Sequence, residues 1–267
     1  MLSPDTIYGV TITTVIGLCL NHIAQCLSTT KKCSKHPLFL KFTGTTQPVW
    51  CWALSACLSG FVYSSLYATA MYKTGSNGRS SWLYGSDTRT LSSPDTDLQY
   101  FRYFFYVFFA YLVRDLPLST NPMFFAHHFA CVAGILSTLE TTSPGAISAT
   151  HGIIILELGS FSFNIWGIDD VMRHHPKHFP WWPQWEGPWI TYHYYIMLSL
   201  SNVVSGYFLY MSVTASFNSG HTVFGWWSML AGFPLLLLRE NEVYKTVRGI
   251  NKKPTMLKED LDALKEQ

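Results

Sequence analysis

The chain has 267 residues, of which 48% are hydrophobic and only 13% carry a charge. Soluble globular proteins carry about 25% charged residues, so the composition excludes an ordinary soluble domain and indicates a membrane protein. The net charge of +2 is too small for a nucleic-acid-binding protein, and no basic cluster is interleaved with aromatic residues.

The apolar residues are concentrated in seven stretches, each close to the length of about 20 residues that a helix needs to cross a bilayer. These stretches cover residues 7–27, 49–72, 100–116, 123–140, 146–168, 189–215 and 223–238. The first lacks the basic start of a signal peptide and is interpreted as a retained span. A charged tail from residue 251 predicts a short solvated helix. The fold class is therefore predicted as all-α, a polytopic membrane protein with about seven transmembrane helices.

The distribution of lysine and arginine predicts the orientation of these spans. With seven spans, fourteen of the 18 basic residues fall on one side, three fall on the other, and Arg102 lies inside the third stretch. The positive-inside rule assigns the basic side to the cytosol. The prediction is a lumenal N-terminus and a cytosolic C-terminus, and an even number of spans would abolish this segregation of charge.

Two adjacent histidines, His127 and His128, interrupt the fourth apolar stretch, with Cys131 one turn further on. Ionisable groups inside a membrane span are costly and point to a functional site. On the predicted orientation the pair lies about 8–9 Å from the cytosolic end of its helix. An imidazole at this depth could act as a general base or a nucleophile. The alternative is a structural role, because membrane histidines often hydrogen-bond to a neighbouring helix.

A polar face is predicted on the fifth stretch. Glu157, Ser160 and Asn164 follow i, i+3, i+7 spacing and therefore share one side of a helix. The connection to the fourth stretch is short, so the two helices should be antiparallel neighbours. We expect the histidine pair and this face to meet in a polar pocket that opens to the cytosol. Asp115, at the cytosolic end of the third stretch, is a second carboxylate near the pocket.

A second histidine cluster lies in the loop after the fifth stretch and consists of His174, His175 and His178. Membrane di-iron enzymes need about eight histidines in several HxxxH or HxxHH boxes, because two irons require that many ligands. The ten histidines of this chain do not supply several such boxes. The loop is interpreted as a polar segment at the lipid headgroups, and no metal is predicted. A retinal protein is disfavoured because the last span has no lysine.

Three segments, in this order, resemble the TLC-domain family, lipid-handling membrane proteins that include the ceramide synthases. They are "FFAYLVRDL" with Asp115, "FFAHHFACVAGIL" with the histidine pair, and "ILELGSFSFNI" with Glu157. The resemblance covers roughly residues 45–248 and implies a barrel-like bundle of six helices around an acyl chain. Residues 1–44 would form a first transmembrane helix with a basic cytosolic loop, and residues 249–267 a charged cytosolic tail.

The segment after the histidine pair departs from the ceramide synthases. It offers only Glu157 as a carboxylate where they carry two aspartates, and the homeobox-like insert of many ceramide synthases is absent. The chain is thus similar to the other branch of the family. Members of that branch are linked to membrane lipid composition, cargo export from the endoplasmic reticulum and lysophospholipid acylation.

The resemblance implies a membrane protein of lipid metabolism, located in the endoplasmic reticulum, with acyl-CoA-dependent acyltransferase chemistry on a lipid amine or hydroxyl. One histidine would deprotonate the acceptor or carry the acyl group, and the other would stabilise the oxyanion. Glu157 or Asp115 would orient a ring, and Ser160, Asn164 and Cys131 would contact the substrate. The expected partners are membrane lipids and acyl-CoA, with no bound cofactor. The alternative is a non-enzymatic lipid sensor or cargo receptor that holds a lipid in the same pocket.

Overall fold

The computed structural model of the protein is built from helices throughout the residues that it describes. These are residues 2–30, 36–39, 48–84, 89–92, 95–118, 122–183 and 189–248; for residues 77–84, 118, 122–124, 126 and 170 only the backbone is described. The charged tail 249–267, with its predicted short helix, lies outside these ranges.

Every predicted apolar stretch contains a helix. The α-helices of the described ranges are α1 (Pro4–Thr29), α2 (Val49–Cys57), α3 (Ser64–Tyr84), α4 (Gln99–Asp115), α5 (Pro122–Glu140), α6 (Ala146–His174), α7 (Trp189–Asn218) and α8 (Thr222–Val247). Residues Leu58–Tyr63 form a π-helical turn, called the π turn here, that joins α2 to α3. The second predicted span, 49–72, is therefore a single rod with a π turn inside it, and the helix kinks just beyond the span at Gly75, where φ is +57°.

Five of the helical segments are long and apolar enough to cross a membrane: Pro4–Thr29, Val49–Ser76, Ala146–His174, Trp189–Asn218 and Thr222–Val247. The other two predicted spans, α4 and α5, have 17 and 19 residues and are not among the five. Large apolar side chains point outward from these helices, including Val15, Val203 and Leu237. Because soluble monomers rarely expose large contiguous apolar surfaces, this exterior suits lipid, and the protein is polytopic and membrane-embedded.

The start of α1 shows how local sequence sets a helix boundary. Ser3 caps the helix by accepting a hydrogen bond from the backbone N–H of Thr6 at 3.2 Å, and Pro4 occupies the first helical position. Further along, Thr13 donates to the carbonyl oxygen of Tyr106 at 2.9 Å. This bond ties α1 to α4, while much of the remaining surface of α1 faces outward.

The centre of the bundle is the pair α6–α7, which meet along a seam of glycine and serine residues. Gly152 and Gly159 of α6 face Ser205 and Ser201 of α7. Ser205 also donates a hydrogen bond to the carbonyl oxygen of Gly152 at 2.9 Å. In a membrane, where lipid tails are as apolar as the helices, close packing of small residues and interhelical hydrogen bonds drive association. The seam therefore holds α6 in the middle of the protein.

The end of this seam at the start of α6 generates a stability prediction. Gly145 immediately precedes α6, and a Cβ atom at this position would overlap the carbonyl oxygen of Ser212 on α7. Its φ of −74° is open to any residue, so the conflict is steric alone. We expect Gly145→Ala to lower the free energy of unfolding by about 1–3 kcal/mol, measured as a lower Tm in detergent.

Gly206→Ala is the matched control. A Cβ atom at Gly206, within α7, would meet only Leu236, at an ordinary contact distance of 3.6 Å. Alanine is the better helix former by about 1 kcal/mol, so Tm should stay the same or rise. Equal losses of stability in the two variants would contradict the close approach of α6 and α7 at Gly145.

Candidate functional site

A cavity of about 240 Å³ lies between the α2–α3 rod, α4, α5, α6 and α8. We call it the histidine chamber. Its polar lining includes the histidine pair, the predicted face of α6 and one arginine: His127, His128, Glu157, Ser160, Asn164 and Arg239. Five of the seven predicted site residues thus line one cavity. The helix spacing and the short α5–α6 connection are the sequence features that predict a shared pocket.

The two imidazoles lie side by side near the start of α5. Their ring centroids are 5.5 Å apart and the ring planes meet at 66°. His128 is buried, whereas His127 is half-buried because it borders open space in the chamber. The Sγ atom of Cys131, one helical turn on, lies 3.6 Å from Nδ1 of His127. Cys131 thus contacts His127 and is not among the residues that line the histidine chamber.

Arg239 belongs to the site, although the sequence interpretation counted it among the basic residues beyond the last span. Helix α8 continues to Val247, so Arg239 lies inside the helix. Its guanidinium donates from Nη1 to Oγ of Ser160 at 3.1 Å and from Nη2 to the carbonyl oxygen of Leu156 at 2.9 Å. It is also the cation that acts electrostatically on Glu157. The missed signal was the sequence "LLLLRENEVYKTV", which contains no helix breaker after the arginine.

A second carboxylate, Glu240 of α8, supports Arg239 through Asn202 of α7. The Nε atom of Arg239 donates to Oδ1 of Asn202 at 2.9 Å. The amide nitrogen of Asn202 donates in turn to Glu240 at 2.8 Å, and Ser199 donates to the same carboxylate at 2.9 Å. This chain of hydrogen bonds orients the guanidinium and ties α6, α7 and α8 together at the level of the chamber.

Asp115 has a partner that the sequence interpretation did not consider. Its carboxylate accepts hydrogen bonds from Nε and Nη2 of the neighbouring Arg114, at 2.9 and 2.5 Å, and both side chains are buried. The guanidinium of Arg114 lies over the ring of Tyr111, 4.8 Å from its centroid. Asp115 is not among the residues that line the histidine chamber. Its predicted role in orienting a histidine stays a prediction.

A second cavity of about 140 Å³, called the apolar groove here, adjoins the chamber. It shares Phe108, His127 and Glu157 with the chamber and is otherwise lined mainly by apolar and small residues of α5, α6, α7 and α8. Along α5 the groove extends from His127 to Thr138, which corresponds to about 16 Å of helix. The polar chamber therefore shares part of its wall with a narrow apolar space.

The other histidines lie outside both cavities. His151 is buried, and its Nδ1 atom lies 3.1 Å from the hydroxyl of Tyr67, which is the structural role considered for membrane histidines. In the loop cluster, the ring of His178 packs edge to face against the ring of His36, which comes from an earlier loop, with centroids 4.8 Å apart. Burial and the neighbouring His178 lower the pKa of His36. Across the described ranges, no group of three or more histidine, cysteine, aspartate or glutamate side chains is arranged to hold a metal ion.

Comparison of the chain with protein-family models, with curated proteins and with solved structures finds no match. The resemblance to the TLC-domain family therefore depends on the three sequence segments alone and stays a prediction.

The interaction between Arg239 and Glu157 can be tested by a double-mutant cycle. Arg239→Met removes three hydrogen bonds and leaves Glu157 in the bundle without its counter-charge. We expect a loss of about 2–4 kcal/mol in the free energy of unfolding, measured by thermal unfolding in detergent. Adding Glu157→Gln should restore part of this loss, because the amide carries no charge.

Arg248→Met is the control for loss of an arginine from the same helix end. Arg248 is exposed at the end of α8, so its replacement should change stability by at most about 0.5 kcal/mol. If the losses of Arg239→Met and Glu157→Gln simply add in the double variant, the two side chains do not interact.

Proposed function

We propose that the protein is an acyltransferase of membrane lipid metabolism that moves an acyl group from acyl-CoA to a lipid amine or hydroxyl in the histidine chamber. One observation carries the proposal: His127 and Glu157 line the polar chamber and the apolar groove at the same time. A ligand with a reactive polar end and a long apolar chain fits this pair of cavities, with its polar end beside the imidazoles.

The proposed chemistry uses the chamber's own groups. A neutral imidazole of the pair takes the proton of the acceptor O–H or N–H while the acceptor attacks the thioester carbon. The C–S bond breaks, and the imidazolium returns the proton to the departing CoA thiolate. The second imidazole donates a hydrogen bond to the carbonyl oxygen as negative charge develops there. In the covalent variant, a histidine nitrogen attacks the thioester carbon, the C–S bond breaks, and CoA leaves as the thiol with the proton that the ring gives up. The acceptor O–H or N–H then attacks the acyl-imidazole, the C–N bond to the ring breaks, and the proton of the acceptor returns to the ring.

Glu157 and Arg239 prepare this site. The carboxylate of Glu157 can accept a hydrogen bond from an imidazole N–H and so select the tautomer that leaves the other ring nitrogen free to accept a proton. Arg239 compensates the charge of Glu157 and is itself held by Ser160 and Leu156. A charged carboxylate in a low-dielectric site requires such a partner.

The proposed topology puts the chamber where acyl-CoA is found. We propose that all seven predicted spans cross the membrane of the endoplasmic reticulum in a TLC-type bundle, with a lumenal N-terminus. Arg114 and Arg239 are engaged inside the bundle, and the remaining twelve basic residues of the predicted cytosolic side still outnumber the three on the other. His127 is five residues from the start of α5 and Arg239 is eight from the end of α8, both at the predicted cytosolic side.

Substitution of the histidines tests catalysis directly. We expect His127→Ala or His128→Ala to lower acyl transfer by about 100-fold or more, because each removes an imidazole from the chamber. Purified protein would be given labelled palmitoyl-CoA with lysophospholipid or long-chain amine acceptors, and the products measured by lipidomics. His193→Ala is the control, since His193 is exposed on α7. Unchanged products in both chamber variants would contradict catalysis, and lipid that still copurifies with them would favour the non-enzymatic lipid-binding alternative.

The apolar groove can be shortened by one substitution. Gly134 lines the groove about 10 Å along α5 from His127, and Gly134→Leu would fill the groove at that depth. We expect a shift of preference towards shorter acyl chains, measured by competition among labelled acyl-CoAs of stepped length. Gly134→Ala is the control, because a Cβ atom there meets only Trp227, at 3.5 Å. An identical chain-length preference in all three proteins would show that the groove does not hold the acyl chain.

A further inference from the structure

Tyr63 lines the histidine chamber, and the chemistry proposed above does not use it. It is the last residue of the π turn Leu58–Tyr63 and stands on the wall formed by the α2–α3 rod, whereas the histidines come from α5. Single π-helical turns inside α-helices are rare and occur frequently at functional sites. The π turn therefore indicates a functional role for this part of the wall.

The hydroxyl of Tyr63 has lost water without gaining a protein partner. The side chain is 1% exposed, and within the described ranges its oxygen makes no hydrogen bond. Leaving a buried hydroxyl unpaired costs about 1–3 kcal/mol. Neighbouring hydroxyls on the same wall are paired: Ser55 donates to the hydroxyl of Tyr111 at 2.9 Å, and Ser59 donates to the carbonyl oxygen of Ser55 at 2.6 Å. Within the described ranges, the Tyr63 hydroxyl is thus a buried hydrogen-bond donor without a partner, in a residue that lines the chamber.

Packing of the aromatic ring does not explain why this residue is a tyrosine. The ring of Tyr63 packs edge to face against Phe104 and Phe108, with centroids 5.0 and 5.9 Å apart. A phenylalanine ring would make the same contacts and would avoid the cost of the unpaired hydroxyl. The ring contacts therefore give no reason for the hydroxyl of Tyr63.

We propose that the Tyr63 hydroxyl donates a hydrogen bond to the carbonyl oxygen of an acyl group bound in the histidine chamber. The ligand class is a lipid thioester or ester whose carbonyl lies between Tyr63 on one wall and the histidine pair on the other, with its chain in the apolar groove. A phenol supplies one donor, and the hydrogen bond strengthens as the carbonyl oxygen gains negative charge. This inference rests on the proposed function and names the residue that recognises the reacting carbonyl.

A pair of ligands that differ only in the carbonyl tests this assignment. The probes are palmitoyl-CoA and S-hexadecyl-CoA, a thioether of the same chain length in which a methylene replaces the C=O group. Dissociation constants would be measured on the full chain in lipid nanodiscs without an acceptor. We expect the wild-type protein to bind palmitoyl-CoA about 5- to 10-fold more tightly than the thioether, and Tyr63→Phe to abolish this preference while binding the thioether as well as the wild type.

Tyr67→Phe is the matched control from the same rod. The hydroxyl of Tyr67, one turn further on, is paired with Nδ1 of His151 at 3.1 Å and lies outside the chamber lining. Its loss should lower Tm and leave the preference for the carbonyl unchanged. Tyr63→Phe should keep or raise the Tm of the ligand-free protein, because it removes an unpaired buried donor.

The outcomes separate this assignment from the proposed function. An unchanged carbonyl preference in Tyr63→Phe overturns the role of Tyr63 while leaving acyl transfer at the histidines standing. Equal binding of the two probes by the wild-type protein also overturns it, and so does a lower Tm for ligand-free Tyr63→Phe. A wild-type protein that binds neither probe overturns the assignment together with the proposed function.

Discussion

The structure depends on the close approach of α6 and α7. Gly152 and Gly159 carry no side chain, so α7 can approach α6 closely. The hydrogen bond from Ser205 to the carbonyl oxygen of Gly152 fixes the register of the two helices. Because one face of α6 is occupied by this seam, the Glu157 face is free to turn towards α5 and α8. In lipid, where apolar side chains gain little by leaving one helix surface for another, such small-residue contacts decide which faces meet.

The polar interior follows from that arrangement. A guanidinium in a low-dielectric bundle needs hydrogen-bond acceptors and a compensating charge, since an isolated ion there is very costly. Arg239 finds its acceptors on α6 and α7, and Glu157 supplies the opposite charge. Side chains that line the histidine chamber therefore also hold three helices together, which couples the stability of the bundle to the integrity of the chamber.

The position of the histidine pair determines which kind of ligand would fit the two cavities together. Polar space alone would suit a small hydrophilic ligand, and an apolar groove alone would suit a lipid tail. His127 and Glu157 border both spaces, so an amphipathic ligand can place its polar end against the imidazoles without exposing its chain to water. The hydroxyl of Tyr63, which makes no hydrogen bond within the described ranges, would gain a hydrogen-bond partner from such a ligand.

The sequence by itself determined the helical stretches and the shared face of Glu157, Ser160 and Asn164, because the period of a helix is a local property of the chain. The short connection before α6 likewise sufficed to bring the histidine pair opposite that face. Only the tertiary structure decided that Arg239 belongs to the chamber, that Asp115 is paired with Arg114, and that the π turn presents Tyr63. Arg239 and Ser160 are 79 residues apart in the chain, so their contact depends on which helix faces pack together, and local periodicity cannot encode that. The ion pair of the adjacent Arg114 and Asp115 and the π turn are local departures from the simple helical period, which the spacing of apolar residues does not reveal.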